Sequence, residues 1–80
     1  MKYQFELTDT FGGEANYSWV KRETVTLPDN ATDKQIARKL RAFAGYTAKD
    51  GETQSYGDTI EFRPRRDCVV AFASYVESGE

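Results

Sequence analysis

Alternating apolar and polar side chains predict two strands in the first third of the chain. Residues 2–8 place apolar side chains at every second position, namely Tyr3, Phe5 and Leu7. This is the period of a half-buried strand. Residues 9–16 contain a Gly-Gly pair and predict a turn. Residues 17–27 are rich in aromatic and β-branched side chains, so they predict a long second strand.

Two charged residues interrupt the apolar side of this second strand. Lys21 and Glu23 share the parity of Trp19 and Val25, which would otherwise form one continuous apolar face. Either a bulge resets the register at this point, or the strand runs beyond the edge of the core. We expect the bulge.

A helix is predicted over residues 33–44. Thr32 and Gln35 have the spacing of a capping box, in which each side chain hydrogen-bonds to the other's backbone. Apolar residues then recur at helical spacing: Ile36, Leu40, Phe43 and Ala44. Gly45 follows, and glycine commonly ends a helix because it adopts a left-handed backbone conformation at no steric cost.

The second half of the chain predicts two further strands. Residues 46–57 are polar and contain turn signals, so we expect a loop. Residues 59–63 alternate again and predict a third strand. Residues 64–67 predict a turn, and residues 68–76 form the last apolar run.

These elements predict an α+β fold of order β-β-α-β-β, with one helix packed on a four-stranded, mainly antiparallel sheet. A length of 80 residues fits one small domain over residues 1–80. We expect residues 76–80 to be frayed, because chain ends rarely make enough contacts to be held in place.

The last predicted strand, over residues 68–76, is apolar on both faces. One face carries the bulkier side chains and is expected to pack against the helix: Cys68, Val70, Phe72 and Val76. The opposite face would then form a shallow groove for a protein partner or a second copy: Val69, Ala71, Ala73 and Tyr75. Trp19, with Phe11 and Val20, is a further candidate for exposed apolar surface. Alternatively, the loop over residues 46–57 folds over this face, or Val69, Ala71 and Ala73 form a shallow patch that binds nothing.

One segment carries a resemblance. Residues 8–20 read Thr-Asp-Thr-Phe-Gly-Gly-Glu-Ala-Asn-Tyr-Ser-Trp-Val, residues 55–58 read Ser-Tyr-Gly-Asp, and Pro64 opens a turn. Together they resemble small proteins encoded by phages and other mobile elements. The resemblance implies a mobile-element origin and assigns no activity and no functional residue. Very small acidic α+β proteins of such elements are often inhibitors of host defence, anti-CRISPR proteins among them, so analogy of class and size implies an inhibitor.

The residue types argue against an enzyme. The chain has no histidine and one cysteine, Cys68, which excludes a histidine-based triad, a Cys/His zinc site and an intramolecular disulfide. Carboxylates flank the Gly-Gly turn and populate the polar loop, but their spacing matches no EF-hand loop and no other motif organises them. We therefore expect no catalytic residues, no metal and no cofactor. The alternative for Cys68 is a nucleophilic or redox role favoured by nearby arginines.

The chain has no apolar run of the roughly 18 residues that a membrane span needs, and its start does not read as a secretory signal. With a single cysteine, the expected setting is the reducing cytoplasm, in the host cell if the origin is a phage.

Two basic patches interrupt an otherwise acidic chain of net charge −2. The first is on the predicted helix: Lys34, Arg38 and Arg41. The second is at the predicted hairpin turn: Arg63, Arg65 and Arg66. These patches, with Tyr46 and Tyr56 as stacking residues, could contact nucleic acid, or they could be solvated surface. A sequence pI of about 5.1 disfavours nucleic acid, because nucleic-acid-binding domains are usually basic.

We therefore expect a non-enzymatic binding protein that blocks a host protein or nucleoprotein complex. A nucleic-acid-binding accessory protein that uses the two basic patches is the alternative. A homodimer is possible in either case, and no membrane partner is expected.

Overall fold

One helix packs on one face of a five-stranded antiparallel sheet. The computed structural model describes residues 1–77. Its elements are β1 (Lys2–Phe11), β2 (Glu14–Thr26), α1 (Asp33–Ala44), a 3₁₀ turn (Ala48–Asp50), β3 (Gly51–Tyr56), β4 (Thr59–Pro64) and β5 (Val69–Glu77). The strand order across the sheet is β2-β1-β5-β4-β3, so β5 is central and β2 and β3 are the two edges.

The helix has the bounds that its capping signals predict. The Thr32 hydroxyl accepts a hydrogen bond from the Gln35 backbone N–H at 3.2 Å, and the Gln35 side chain accepts one from the Thr32 N–H at 2.9 Å. Gly45 ends α1 in the left-handed region, with φ 88°. Both ends are therefore fixed by local hydrogen bonds, which is why the sequence alone locates them.

The predicted α+β fold is confirmed in outline, with one strand more than expected. The predicted loop over residues 46–57 contains β3, which pairs with β4 as an edge strand. Its residues 52–56 are all exposed, so no apolar alternation marks it as a strand. Gly51 allows the close approach to β4, because a Cβ at this position would lie 2.0 Å from the Arg63 carbonyl oxygen.

The faces of β5 are reversed relative to the expectation. Ala71 and Ala73 are fully buried in the core cluster under α1, so they do not form an open groove. Their cross-strand neighbours on β1 and β4 include Phe5 and Phe62, which are also buried. Small side chains on the central strand let Leu40 of α1 pack close to the sheet, while the flanking strands provide the bulk.

The opposite face of β5 has its own small buried cluster. Val70 and Thr8 are direct cross-strand partners on this face, and both have no exposed surface. Val70, Phe72 and Val76 thus point away from α1, contrary to the prediction. The Arg63 guanidinium, on β4, donates to the carbonyl of Gly13 in the β1–β2 turn at 2.6 Å. The β1–β2 hairpin therefore bends across the outer face of β5.

The expected bulge at Lys21 and Glu23 is wrong. Pairing between β1 and β2 is continuous from Lys2–Thr26 to Thr8–Val20, and the irregularity comes only after that, where residues 16–19 lie opposite Asp9. Lys21 and Glu23 face the helix side because β2 runs past the edge of the core, and the Lys21 ammonium lies 4.9 Å from the Phe43 ring centroid.

The end of the chain is held further than expected. Val76 and Glu77 belong to β5, and Glu77 pairs with Lys2 of β1. The remainder of the predicted frayed segment, residues 78–80, lies outside the described residues.

The reversed faces of β5 predict opposite outcomes for two arginine substitutions. Ala71→Arg should lower the free energy of unfolding by at least about 3 kcal/mol or prevent folding, because it places a charge under α1. Val76→Arg is the matched control on the opposite face of the same strand, where Val76 is 49% exposed, and should have little effect. Phe72→Ala should cost less than the about 3–5 kcal/mol of a full core truncation. Urea unfolding followed by circular dichroism measures all three; a stable Ala71→Arg variant would contradict the assignment.

Candidate interaction surfaces

The far half of the β1–β2 hairpin exposes a group of large apolar side chains. We call this group the hairpin surface: Phe11, Tyr17, Trp19 and Val20. Their exposed fractions are 79%, 48%, 45% and 38%. The hairpin extends past the point where β1 stops pairing with β5, at Asp9–Val69. The predicted exposure of Phe11, Trp19 and Val20 is thus confirmed.

A carboxylate organises the bulge that presents these residues. Asp9 accepts hydrogen bonds from the Ser18 backbone N–H and from the Asn16 side-chain amide, both at 2.9 Å. The Thr8 hydroxyl donates to the Trp19 carbonyl at 2.7 Å. The hydrogen bonds from Asn16 and Ser18 lower the pKa of Asp9 to about 2, because they stabilise its ionised form.

Tyr17 is held at the centre of this bulge. Its backbone lies in the left-handed region at φ 58°, which non-glycine residues rarely adopt. Its hydroxyl donates to Glu6 at 3.1 Å, and Glu6 also accepts from Arg22 at 2.6 Å. Partial burial of the Tyr17 hydroxyl raises its pKa most, and the hydrogen bond to Glu6 raises this pKa further. The ring is therefore fixed in position although half of it is exposed.

Sequence reasoning missed the role of Asp9. The available signal was an Asp followed by Asn16 and Ser18 across a Gly-Gly turn, since short polar side chains commonly bond to nearby backbone in turns. The turn itself follows the prediction: Gly12 and Gly13 have φ of 63° and 88°, as tight hairpin turns require.

The residues predicted to form a partner groove on β5 do not come together on a surface. Ala71 and Ala73 are buried, and Val69 is half-buried. Tyr75 is 37% exposed and packs edge-on against Tyr3, with ring centroids 5.7 Å apart. Tyr75 pairs with Tyr3 and Trp19 is bonded to Thr8, five residues further along β1, so the two side chains are separated by roughly 17 Å of extended strand.

The first basic patch lines one open groove. We call it the helix groove, and its volume is 720 Å³. Its cationic residues are Lys34, Arg38 and Arg41. Its other lining residues are Thr32, Gln35, Ala42, Tyr46, Thr47 and Ala48. None of these residues carries a carboxylate, so its local potential is positive although the chain is acidic. The Arg41 guanidinium donates to the Thr53 hydroxyl of β3 at 3.1 Å, which holds it on the side of the groove that faces β3.

The second basic patch is divided between two faces. Arg63 forms an ion pair with Glu61 and bonds to the β1–β2 turn on the outer face. Arg65 pairs with Glu52 at 2.9 Å. Arg66 and Arg65 line a second depression with Tyr46, next to the helix groove. Asp50 and Asp67 line the same depression, so this half of the predicted patch adjoins the groove as a surface of mixed charge.

The two tyrosines proposed to stack on bases differ in availability. Tyr56 is 54% exposed. The ring of Tyr46 instead packs against Phe62 at a centroid distance of 5.7 Å, and its hydroxyl donates to Asp67 at 2.5 Å. The bond to Asp67, together with burial, raises the pKa of Tyr46 to about 12. Tyr46 is a structural residue at the floor of the groove.

The remaining polar chemistry is dispersed. Cys68 is an exposed free thiol immediately before β5, and not the buried residue that its apolar surroundings suggest. Within residues 1–77, no three Asp, Glu or Cys side chains converge in a way that could hold a metal ion. No helix in that range is long and apolar enough to cross a membrane.

Comparison of the chain with protein-family models, curated proteins and solved structures gives no match. The class of protein therefore rests on the fold and on these surfaces: a small α+β domain that presents an exposed aromatic hairpin and a basic helix groove.

The low pKa of Asp9 predicts an acid-dependent loosening of the hairpin surface. A carboxylate whose pKa falls from 3.8 to about 2 on folding stabilises the folded hairpin above about pH 4, and this contribution is lost as the pH falls through about 2. Trp19, the single tryptophan, reports this change by fluorescence. In Asp9→Ala, Trp19 should already show at pH 7 the fluorescence that the wild type shows only in acid. In Glu14→Ala, in the same hairpin, the Trp19 fluorescence should change with pH as it does in the wild type. An unchanged titration curve in Asp9→Ala would contradict this role.

Proposed function

We propose that this chain is a non-enzymatic binding protein that blocks a host protein or nucleoprotein complex by occupying its surface. The observation that carries the proposal is the hairpin surface, where three aromatic side chains are between 45% and 79% exposed on a hydrogen-bonded hairpin. Isolated exposed apolar residues are common in proteins, but several exposed aromatic side chains on one hairpin are typical of an interaction site.

The hairpin is suited to tight binding because it is already ordered. Asp9 holds the backbone of the bulge and Glu6 holds the Tyr17 ring, so little conformational freedom remains to be lost on association. Aromatic side chains bring large contact areas with few rotatable bonds. Phe11, at 79% exposed, is the natural anchor for an apolar pocket on the partner.

The resemblance to mobile-element proteins supports a host target. A mobile-element protein with such a surface would act as an inhibitor of host defence, as anti-CRISPR proteins do, by steric and electrostatic blocking of a functional site.

The proposal is tested by affinity capture from a host lysate treated with nuclease. The wild-type chain should retain a defined protein complex after nuclease treatment. Phe11→Ser should reduce its recovery about tenfold or more, because removal of a buried aromatic anchor costs that much affinity. Tyr56→Ser is the matched control, since Tyr56 is 54% exposed but lies outside the hairpin.

Equal loss of the complex in both variants would mean that the hairpin surface is not the binding site. Recovery that disappears with nuclease would favour the second candidate function, a nucleic-acid-binding accessory protein.

The helix groove supports that second candidate. Lys34, Arg38 and Arg41 line it, and none of its lining residues is acidic. Such a groove can follow a phosphate backbone. The net charge of −2 and the ion pairs of Arg63 and Arg65 weaken this function relative to the first.

Binding to a fluorescent single-stranded oligonucleotide measures this candidate. We expect a dissociation constant of about 10⁻⁴ M or weaker at physiological salt, in the non-specific range. Arg38→Gln should lessen the salt dependence of the logarithm of affinity by roughly 0.7, because one phosphate contact is lost. Lys2→Gln, distant from the groove, is the control. Submicromolar, sequence-dependent binding would place nucleic acid ahead of protein as the partner.

A further inference from the structure

Strand β2 has an open edge with its hydrogen-bonding groups directed outward. The pair Met1–Leu27 exchanges both backbone hydrogen bonds, at 2.8 and 2.9 Å. Such pairs alternate with pairs that make none, so Thr26, Thr24, Arg22 and Val20 direct their N–H and C=O groups away from β1. Since β2 is at the end of the sheet, no strand within residues 1–77 pairs with this row of groups.

This edge is protected only by charged side chains, among them Lys21 and Glu23 on the helix side of the sheet. Regular pairing with β1 covers residues 20–26, which contain no proline and no bulge. Edge strands are normally blocked by such features or by charges that repel another strand. Here the charges alternate in sign instead: Lys21 and Glu23 lie on the helix side, with Arg22 between them on the outer side.

We propose that this edge pairs with β2 of a second copy, antiparallel, about a two-fold axis at Arg22. Paired residues must lie on the same face of a continuous sheet, so the axis must pass through a residue. An axis at Arg22 places Lys21 opposite Glu23 of the second copy, and Glu23 opposite its Lys21. Val20 then lies opposite Thr24 of the second copy. The backbone N–H and C=O groups that point away from β1 in one copy meet the same groups of the other.

The neighbouring registers are disfavoured by charge. An axis at Lys21 would place two lysines directly opposite each other, and an axis at Glu23 would do the same with two glutamates. The chosen axis brings two Arg22 side chains together, but each already donates to Glu6 of its own copy at 2.6 Å. The outer side thus contains two arginines and two glutamates, which balance.

The helix does not obstruct this approach. A groove of 410 Å³ separates α1 from β2 and reaches the surface beside Lys21, Glu23 and Val25. The contact of Lys21 with the Phe43 ring positions its ammonium on this side of the strand. The assembly joins two five-stranded sheets into one, and the antiparallel junction directs the two hairpin surfaces toward opposite ends.

Sedimentation equilibrium over a range of concentrations tests the pairing. The wild type should form dimers, and Lys21→Glu and Glu23→Lys should each raise the dissociation constant about 10- to 100-fold, because two symmetry-related pairs become repulsive. An equimolar mixture of these two variants should recover the wild-type affinity, since every opposing pair is again complementary. The double variant carrying both changes should also dimerise. Lys49→Glu makes the same charge change away from β2 and should behave as the wild type.

Circular dichroism of each variant confirms that the chain remains folded. A wild type that stays monomeric at millimolar concentration would overturn the proposal. So would single variants that dimerise as well as the wild type, or a mixture that fails to recover. None of these outcomes depends on the captured partner, because the substituted residues are outside the hairpin surface.

Discussion

The arrangement of the molecule depends on the two alanines at the centre of β5. Ala71 and Ala73 have no exposed surface and lie beneath α1, while Phe5 and Phe62 stand on either side on the neighbouring strands. A helix that packs on a flat row of large side chains would stand further from the sheet and leave voids beside it. The small central residues let one short helix cover three strands, which a chain of this length requires.

Because Ala71 and Ala73 face α1, Val70 faces the opposite side of the sheet, which α1 does not cover. The β1–β2 hairpin meets this need by bending across β5, and the bond from Arg63 to the Gly13 carbonyl secures it. Burial of Val70 and Thr8 therefore fixes the direction in which the hairpin projects. Packing on the outer face and presentation of the aromatic surface have one structural cause.

Local signals made much of this fold predictable, whereas differences of side-chain size did not. The helix follows from Thr32, Gln35 and Gly45, because caps act within a few residues. The faces of β5 could not be assigned, since both are apolar and the decision depends on how strands from distant parts of the chain pack against α1. Strand β3 was missed for a related reason: an exposed polar edge strand has no alternation to detect. The exposure of Phe11 and Trp19 was predictable because too little chain remained to cover them.

The charged residues on β2 unite the remaining observations. Lys21 and Glu23 break the apolar alternation because β2 is an edge strand that meets α1 only at its margin, where Lys21 lies over the Phe43 ring, so its helix side needs no large apolar residue. At a sheet edge those positions acquire a different role: they determine which strand can pair there. Opposite charges two residues apart disfavour an arbitrary partner and yet complement themselves when the strand is reversed. Lys21 and Glu23, which interrupt the apolar pattern of β2, are thus the residues that would make the proposed pairing of its edge specific for a second copy.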